Sequence, residues 1–391
     1  MFNRLKERAK GPDGAVDFLR DDYVAEAGAA IGLPEEIVGA MRAGAAAIRD
    51  DGASAETART LYRELFVDAL PPGPVNERLL ASGPYAGMMA ALVYLGALPP
   101  LIERYESRRI PERVLVMTME DMTIWMRRHR ELHGEWGLSQ LGWLIKHWTG
   151  SLFRLGRLQF TFMAYDKPFR AFRSRSTGQV AVLCEAGVRY RADGQVDGTN
   201  GTYDPNGGWV SSYAFDGAVH TGSPVSPAGA AVRTPIALDG AEWEPALERG
   251  DVVLDVHIPE GGKMSRDLCR ESYGQAIAFA AEHFPEKPFR AFVCASWLLA
   301  PQFPGLLPPD SNIVRFQSDY FITPILSDEE QTLERVYGFG TKLADLPRVP
   351  RDSSLQRIVY DHLTAGGAIH GAAGLLLRDD WERGTARAPI G

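Results

Sequence analysis

The stretch of this chain best suited to chemistry begins at Asp251. Residues 251–258 read DVVLDVHI, a strand pattern of β-branched and aliphatic residues, and Pro259-Glu260-Gly261-Gly262-Lys263-Met264 follows as a tight loop. Ser265 is then placed to cap a helix over 266–284, and 289–299 (FRAFVCASWLL) reads as a second strand. A glycine loop between strand and helix lets backbone approach a ligand closely. The free N–H groups and dipole of the helix start favour an anion such as pyrophosphate. A purely structural turn is spelled the same way, and the loop matches neither GxxxxGK(S/T) nor GxGxxG. The candidate cofactor cradle is therefore Gly261, Gly262, Lys263 and Met264.

His257 sits at the C-terminal end of the first strand, one residue before the loop region. There it acts either as general base and substrate orienter or as a core histidine held by one hydrogen bond; no partner is visible in the sequence. On the second strand, Cys294 and Ser296 alternate to one face and Trp297 to the other. A nucleophilic Cys294 needs a nearby base that the sequence does not supply, so buried packing is the better reading. Asp310-Ser311-Asn312 is read as opening a further strand over 312–322, with Asn312 and Arg315 as candidate acceptor-pocket residues or as parts of a capped turn. His129 and His133 are four apart on a helix, but there is no HExxH and no third ligand can be named, so no metal is expected.

Helices are expected through the first third of the chain. Leu33-Pro34-Glu35-Glu36 places proline and acids in a first turn. Ser54 is read as the cap of a helix over 55–66. Pro71, Pro72 and Pro74 break the pattern, a helix over 85–98 follows, and Pro99-Pro100 is read as its end. In 112–132, Val114, Leu115, Met119, Met122, Trp125, Met126 and Leu132 approximate one helical face, with Asp121 off it. A short tryptophan-rich helix over 138–148 closes the region. The texture then changes to strands at 155–164 and 180–191, an Asp193-Gly194 hairpin turn, and short strands among Gly, Pro, Ser and Asn up to residue 230. Short helices are expected at 327–337 and 354–363, and the charged stretch 378–391 is read as loosely held.

With 391 residues the chain is longer than one core usually fills, and two domains are expected, 1–150 and 151–391. The fold class is α+β: a helical N-terminal domain, then a mixed sheet with flanking helices. The formal charge of −8 argues against a general nucleic-acid binder, without excluding a local basic pocket. Three cysteines without zinc spacing read as reduced thiols of a cytoplasmic protein. Residues 1–14 have no apolar signal-like region. The apolar run 88–102 is shorter than a membrane span and reads as a core helix, so no membrane partner is expected.

Seven segments together resemble a known family: MTMEDMTIWM (117–126), WGLSQLGWL (136–144), LFRLGRLQF (152–160), GDVVLDVHIP (250–259), CRES (269–272), CASWLL (294–299) and LPPDSNIVRFQ (307–317). The chain is similar to bacterial acyltransferase-like proteins with a helical N-acyltransferase N-terminal domain and a GNAT-like C-terminal domain. The resemblance implies transfer of an acyl group from a thioester to an amine or hydroxyl of a small-molecule acceptor, by direct attack. The GNAT pyrophosphate loop falls on Gly261–Met264. The usual signature, Arg or Gln, two residues, Gly, one residue, then Gly or Ala, is replaced by EGGKMS. That leaves room for an acyl carrier protein, with its phosphopantetheine arm, beside acyl-CoA as donor. His257 is the candidate base, with Ser296 as a second candidate. The competing classes are a GNAT-like binding or scaffold protein that has lost catalysis, and a hydrolase using Cys294 or Ser296.

Overall fold

The computed structural model describes Leu5 and residues 16–383. The readings of residues 1–14 and 384–391 otherwise fall outside the described residues. Contacts divide the chain into two units. The first comprises 1–161, 258–262 and 272–285; the second comprises 162–257, 263–271 and 286–391.

The first unit is mainly helical: α1 (Asp21–Ala30), α2 (Glu35–Asp50), α3 (Gly52–Phe66), α4 (Pro72–Leu80), α5 (Ala86–Leu95), α6 (Leu98–Ser107), α7 (Glu112–His133) and α8 (Leu141–Trp148). Asp51, not Ser54, caps α3: its carboxylate accepts from the Ala53 N–H, and the Ser54 hydroxyl donates back to it. Pro99 and Pro100 do not end a helix; they lie in the first turn of α6, where a missing N–H costs nothing. The stretch Ala86–Ser107 is long and apolar enough, by length and composition, to cross a membrane, yet 72% of its most apolar window is buried. Met89 through Leu95 have no exposure at all.

The apolar stripe of α7 is buried at Val114, Leu115, Met119, Met122 and Met126, whereas Leu132 is exposed. Asp121, expected off that face, is buried as well. It accepts hydrogen bonds from Trp143 Nε1 (2.8 Å) and Gln159 Nε2 (2.8 Å), and His147 Nε2 lies 3.1 Å away. Gln159 belongs to β2 (Leu158–Ala164), which pairs antiparallel with β1 (Leu152–Leu155). The hairpin turns at Gly156, whose φ is +68° and where a Cβ would stand 2.8 Å from Ser272 Oγ. Tyr105, Phe153, Phe279 and Phe284 stack in sequence beside it. Arg108 lies over Phe284 and donates to the His283 carbonyl.

In the second unit, the C-terminal end of β2 neighbours β11 (Val252–His257): Tyr165 N–H donates to the Asp251 carbonyl. The order continues as β11, β12 (Ala291–Ser296), β14 (Ala372–Leu377) and β13 (Phe321–Pro324). The β11–β12 pair is parallel and the two pairs beyond it are antiparallel, so the sheet is mixed. A smaller sheet of β10 (Trp243–Leu247), β3 (Phe169–Ser174) and β4 (Val180–Cys184) contributes to the same core, in which Phe169, Val182 and Leu247 meet Val253, Val293 and Leu375. Short pairs β5 (Arg189–Tyr190)–β6 (Trp209–Val210) and β7 (Tyr213–Phe215)–β8 (Val219–Gly222)–β9 (Ile236–Asp239) fill the Gly- and Ser-rich region. The expected turn at Asp193-Gly194 is present, with the Arg191 N–H donating to the Gln195 carbonyl.

Helix α9 (Arg266–His283) follows the glycine loop, and Ser265 Oγ accepts from the Leu268 N–H as expected of a cap. After β12 come α10 (Phe303–Leu306), α11 (Asn312–Gln317), α12 (Glu330–Tyr337), α13 (Ser354–Thr364) and α14 (Arg378–Arg383). The strand expected over 312–322 is thus an error. Ser311 Oγ accepts from the Val314 N–H and starts α11, leaving only Phe321–Pro324 extended. The last charged stretch begins as a helix, tied down by an Arg173–Asp380 ion pair at 2.7 Å.

The Asp121 cluster yields a stability prediction. Burial alone raises a carboxyl pKa, but the bonds from His147, Trp143 and Gln159 outweigh it and hold Asp121 below the ordinary carboxylate range. Asp121→Ala leaves buried donors unsatisfied and should lower the unfolding free energy by roughly 3 kcal/mol. The folded pKa is depressed, so this contribution is present above the unfolded value of about 4 and is lost as pH falls through the folded value. Urea denaturation of both proteins between pH 7 and acid should therefore converge. A difference below about 1 kcal/mol at pH 7 would mean the donors find other partners.

Candidate active site

The β11–β12 pair sets the geometry. Its parallel register runs Val253–Ala291, Leu254–Phe292 and Asp255–Val293 and then stops. Both strands continue, β11 to His257 and β12 to Ser296. β12 stays paired with β14 as far as Ser296–Ala372. Pairing between the two parallel strands therefore ends before their C-terminal ends, and His257 lies two residues beyond the last pair.

His257 has a partner that the sequence reading missed. Asp255 is two residues earlier on the same strand, and residues at that spacing share a face. His257 Nε2 stands 3.0 Å from Asp255 Oδ2, at ion-pair distance but without hydrogen-bond alignment. Both side chains are about one-fifth exposed, accessible enough to meet a solute. The signal that could have found Asp255 was the alternation DVH itself.

Cys294 also lies near this carboxylate, but it is a packing residue. It is 1% exposed, and burial, with a smaller push from Asp255, raises its thiol well above the usual range. Cys184 is likewise buried and pushed up to about 11, by burial first. Ser296 Oγ accepts from the Leu298 N–H and caps the 3₁₀ turn that ends β12. Asn312 and Arg315 are both exposed on α11, not on a strand.

The loop after β11 is open backbone. Gly261 and Gly262 have φ of +84° and +74° and are exposed, and nothing lies within 4 Å of a Cβ built on Gly261. In the first unit, the preceding carbonyl, Pro259 O, accepts from Arg157 Nη1 at 2.9 Å. In the second unit, Lys263 and Met264 lead into α9. The first turns of α9 carry Arg266 and Arg270, both of which reach the buried Asp319 (2.6 and 3.4 Å). Asp267 and Glu271 stand in the same turns, so the arginines give this helix start no net positive charge. Arg270 also lies 4.1 Å over Trp381. Asp319 is too far along the chain from Arg266 for sequence alone to pair them. His129 and His133 stack with centroids 4.4 Å apart, and among the described residues there is no group of three or more side chains that could hold a metal ion.

A search of curated protein sequences finds no match for this chain. Solved structures of the same fold do exist. An acyltransferase in complex with decanoyl-CoA and teicoplanin superposes with a TM-score of 0.59 at 21% identity, over 96% of this chain and 93% of the other. An acyltransferase in complex with CoA and 10C-teicoplanin gives 0.60 at 20% identity over the same shares. An acyltransferase mutant in complex with octanoyl-CoA gives 0.59 at 21%, again over the same shares. At these identities the likeness establishes the fold. The family described as the N-acyltransferase N-terminal domain matches residues 22–150, and that described as the GNAT-like C-terminal domain matches residues 152–376. The second match alone spans more than half of the sequence, so the chain belongs to the GNAT-like acyltransferase family, with an N-acyltransferase N-terminal domain ahead of the GNAT-like one.

Proposed function

We propose that this enzyme moves an acyl group from acyl-CoA to an amine or hydroxyl acceptor by direct attack on the thioester. The observation that carries the reading is the end of β11–β12 pairing at Asp255–Val293, which leaves His257 beyond the last pair and just before an exposed glycine loop. In this reading the backbone from Gly261 to Met264, ahead of the N-terminal end of α9, receives the pyrophosphate. An N–H on the C-terminal end of β11 stabilises the oxyanion that develops on the carbonyl. His257 removes a proton from the acceptor, whose nitrogen or oxygen forms the new bond to the acyl carbon as the C–S bond breaks. CoA leaves as thiolate and takes up a proton. Ser296, Asn312 and Arg315 are secondary candidates for the acceptor side.

CoA as donor is supported by the acyltransferases of the same fold that bind CoA, octanoyl-CoA or decanoyl-CoA. The same relatives make a teicoplanin-like acceptor the first to try. An acyl carrier protein remains the alternative donor. A non-catalytic scaffold is the alternative class, favoured by the departure of the loop from the family's glycine signature. The test is thiol release from octanoyl-CoA and decanoyl-CoA with a panel of amine and hydroxyl acceptors. Binding without release under every condition would favour the scaffold.

His257→Ala should lower turnover about 10²–10⁴-fold, the usual cost of a lost general base, while acyl-CoA affinity stays nearly constant. Unchanged turnover in the folded variant would return His257 to a packing role. Cys294 separates direct attack from a covalent route. In the native protein it should resist iodoacetamide until denaturant is added, and Cys294→Ala should retain turnover. An acyl group trapped on Cys294, found by mass spectrometry, would overturn direct attack.

A further inference from the structure

We infer that Ala295, on β12, sets the length of acyl chain that the enzyme accepts, by leaving an apolar floor beside His257 over which the chain lies. The inference rests on the acyl-CoA reading above and deepens it.

Within the second unit, Ala295 differs from the rest of its strand. β12 lies inside the sheet, between β11 and β14. Ala291 through Cys294 are buried, Ser296 is half-buried, and only Ala295 is exposed. Side chains alternate along a strand, so Ala291, Val293 and Ala295 share a face. That face packs into the apolar core with Val253 and Leu375. The cover that the core gives to Ala291 and Val293 is therefore missing two residues further on.

The register shows on which side the cover ends. Ala373 of β14 stands directly opposite Ala295 and is 1% exposed. The Cβ atoms of such a pair are about 5 Å apart. One covered and one open methyl group at that spacing put the opening on the β11 side of Ala295. Val253 pairs with Ala291 and Asp255 with Val293, so the next position in the same register sets His257 beside Ala295, past the end of pairing. The methyl group of Ala295 thus borders an uncovered piece of sheet whose other border is the candidate base.

An aliphatic chain suits this place better than a polar acceptor does. A methyl group offers no hydrogen bond. Apolar surface, in contrast, gains by leaving water in proportion to the area covered. The reacting carbonyl must come close to His257, the group that deprotonates its attacker. The carbons that follow the carbonyl then fall over the neighbouring strand position, which is Ala295. A larger side chain at 295 would fill that space, and the close-packed core beneath leaves it little room to move aside.

The test uses the full chain, one acceptor that supports thiol release, and acetyl-CoA, octanoyl-CoA and decanoyl-CoA. Ala295→Leu should lower the ratio of kcat/KM for octanoyl-CoA to that for acetyl-CoA at least about 10-fold, the discrimination that one methylene in an apolar pocket supplies, with Ala295→Val intermediate. An equal fall for every chain length would mean that the residue serves only the sheet, and would overturn the inference. A second measurement needs no turnover. Ala295→Cys adds little bulk and places a thiol in the opening, while Cys184, Cys269 and Cys294 are buried. Octanoyl-CoA at about ten times its Kd should slow alkylation of that thiol by iodoacetamide roughly 10-fold, and CoA should protect far less. Equal protection by CoA would put the pantetheine arm over this position in place of the acyl chain, and would overturn the inference. Octanoyl-CoA that binds by calorimetry yet leaves alkylation unchanged would do the same, with the acyl-CoA reading left standing. A wild type that neither binds nor cleaves any of the three thioesters would remove that reading, and this inference with it.

Discussion

The end of parallel pairing between β11 and β12 is the constraint on which the proposed chemistry depends. Inside a sheet, each backbone group is satisfied by a neighbouring strand. Past Asp255–Val293 the two strands no longer satisfy each other, while β12 keeps its partner β14 on the other side. The last residues of β11 therefore lie beyond its pairing with β12, on the side that faces that strand. The rest of the sheet can be read as what holds this arrangement in place: Val253, Val293 and Leu375 pack into one apolar core, so the strands are rigid up to the point where their pairing ends.

Charge is handled by enclosure in each unit taken alone. In the first, Asp121 is surrounded by Trp143, His147 and Gln159, drawn from a second helix and a strand. In the second, Asp319 is nearly inaccessible and takes two arginines from the start of α9. A buried carboxylate is tolerable only where donors replace its lost water. In both places the donors come from elements other than the carboxylate's own, so the carboxylate also fixes how the elements meet. Asp255 differs: it remains partly exposed, beside the imidazole of His257.

Much of this was legible in the sequence. The strand, glycine loop, capped helix and strand from 251 to 299 follow from residue type and period, and the helical first third follows from its stripes. Pro99-Pro100 was misread because proline suits the first turn of a helix as well as the space after its end, and local sterics do not choose between them. The strand over 312–322 was misread because NIVRFQ alternates no better than it spirals; the Ser311 cap decided for helix. The partners of Asp121 lie 22, 26 and 38 residues away, and only the packed fold brings them together. Asp255 is different again. Its pairing with His257 was within reach of period-2 reasoning, since the two letters stand one residue apart in DVH.

β14 is buried at every one of its six residues and lies between β12 and β13, although it is the last strand in chain order among the described residues. A growing chain therefore carries β12 and β13 with no strand between them until residue 377 has left the ribosome. Both then present unpaired edges of apolar sequence, the kind that joins other chains. The sheet cannot close gradually from its N-terminal end; it closes late, by insertion of a central strand, which favours a slow and highly cooperative folding step. Chains cut short before Ala372 would not be enzymes missing a tail but sheets missing their middle. In a cell such products would be clients for chaperones and proteases rather than weakened catalysts.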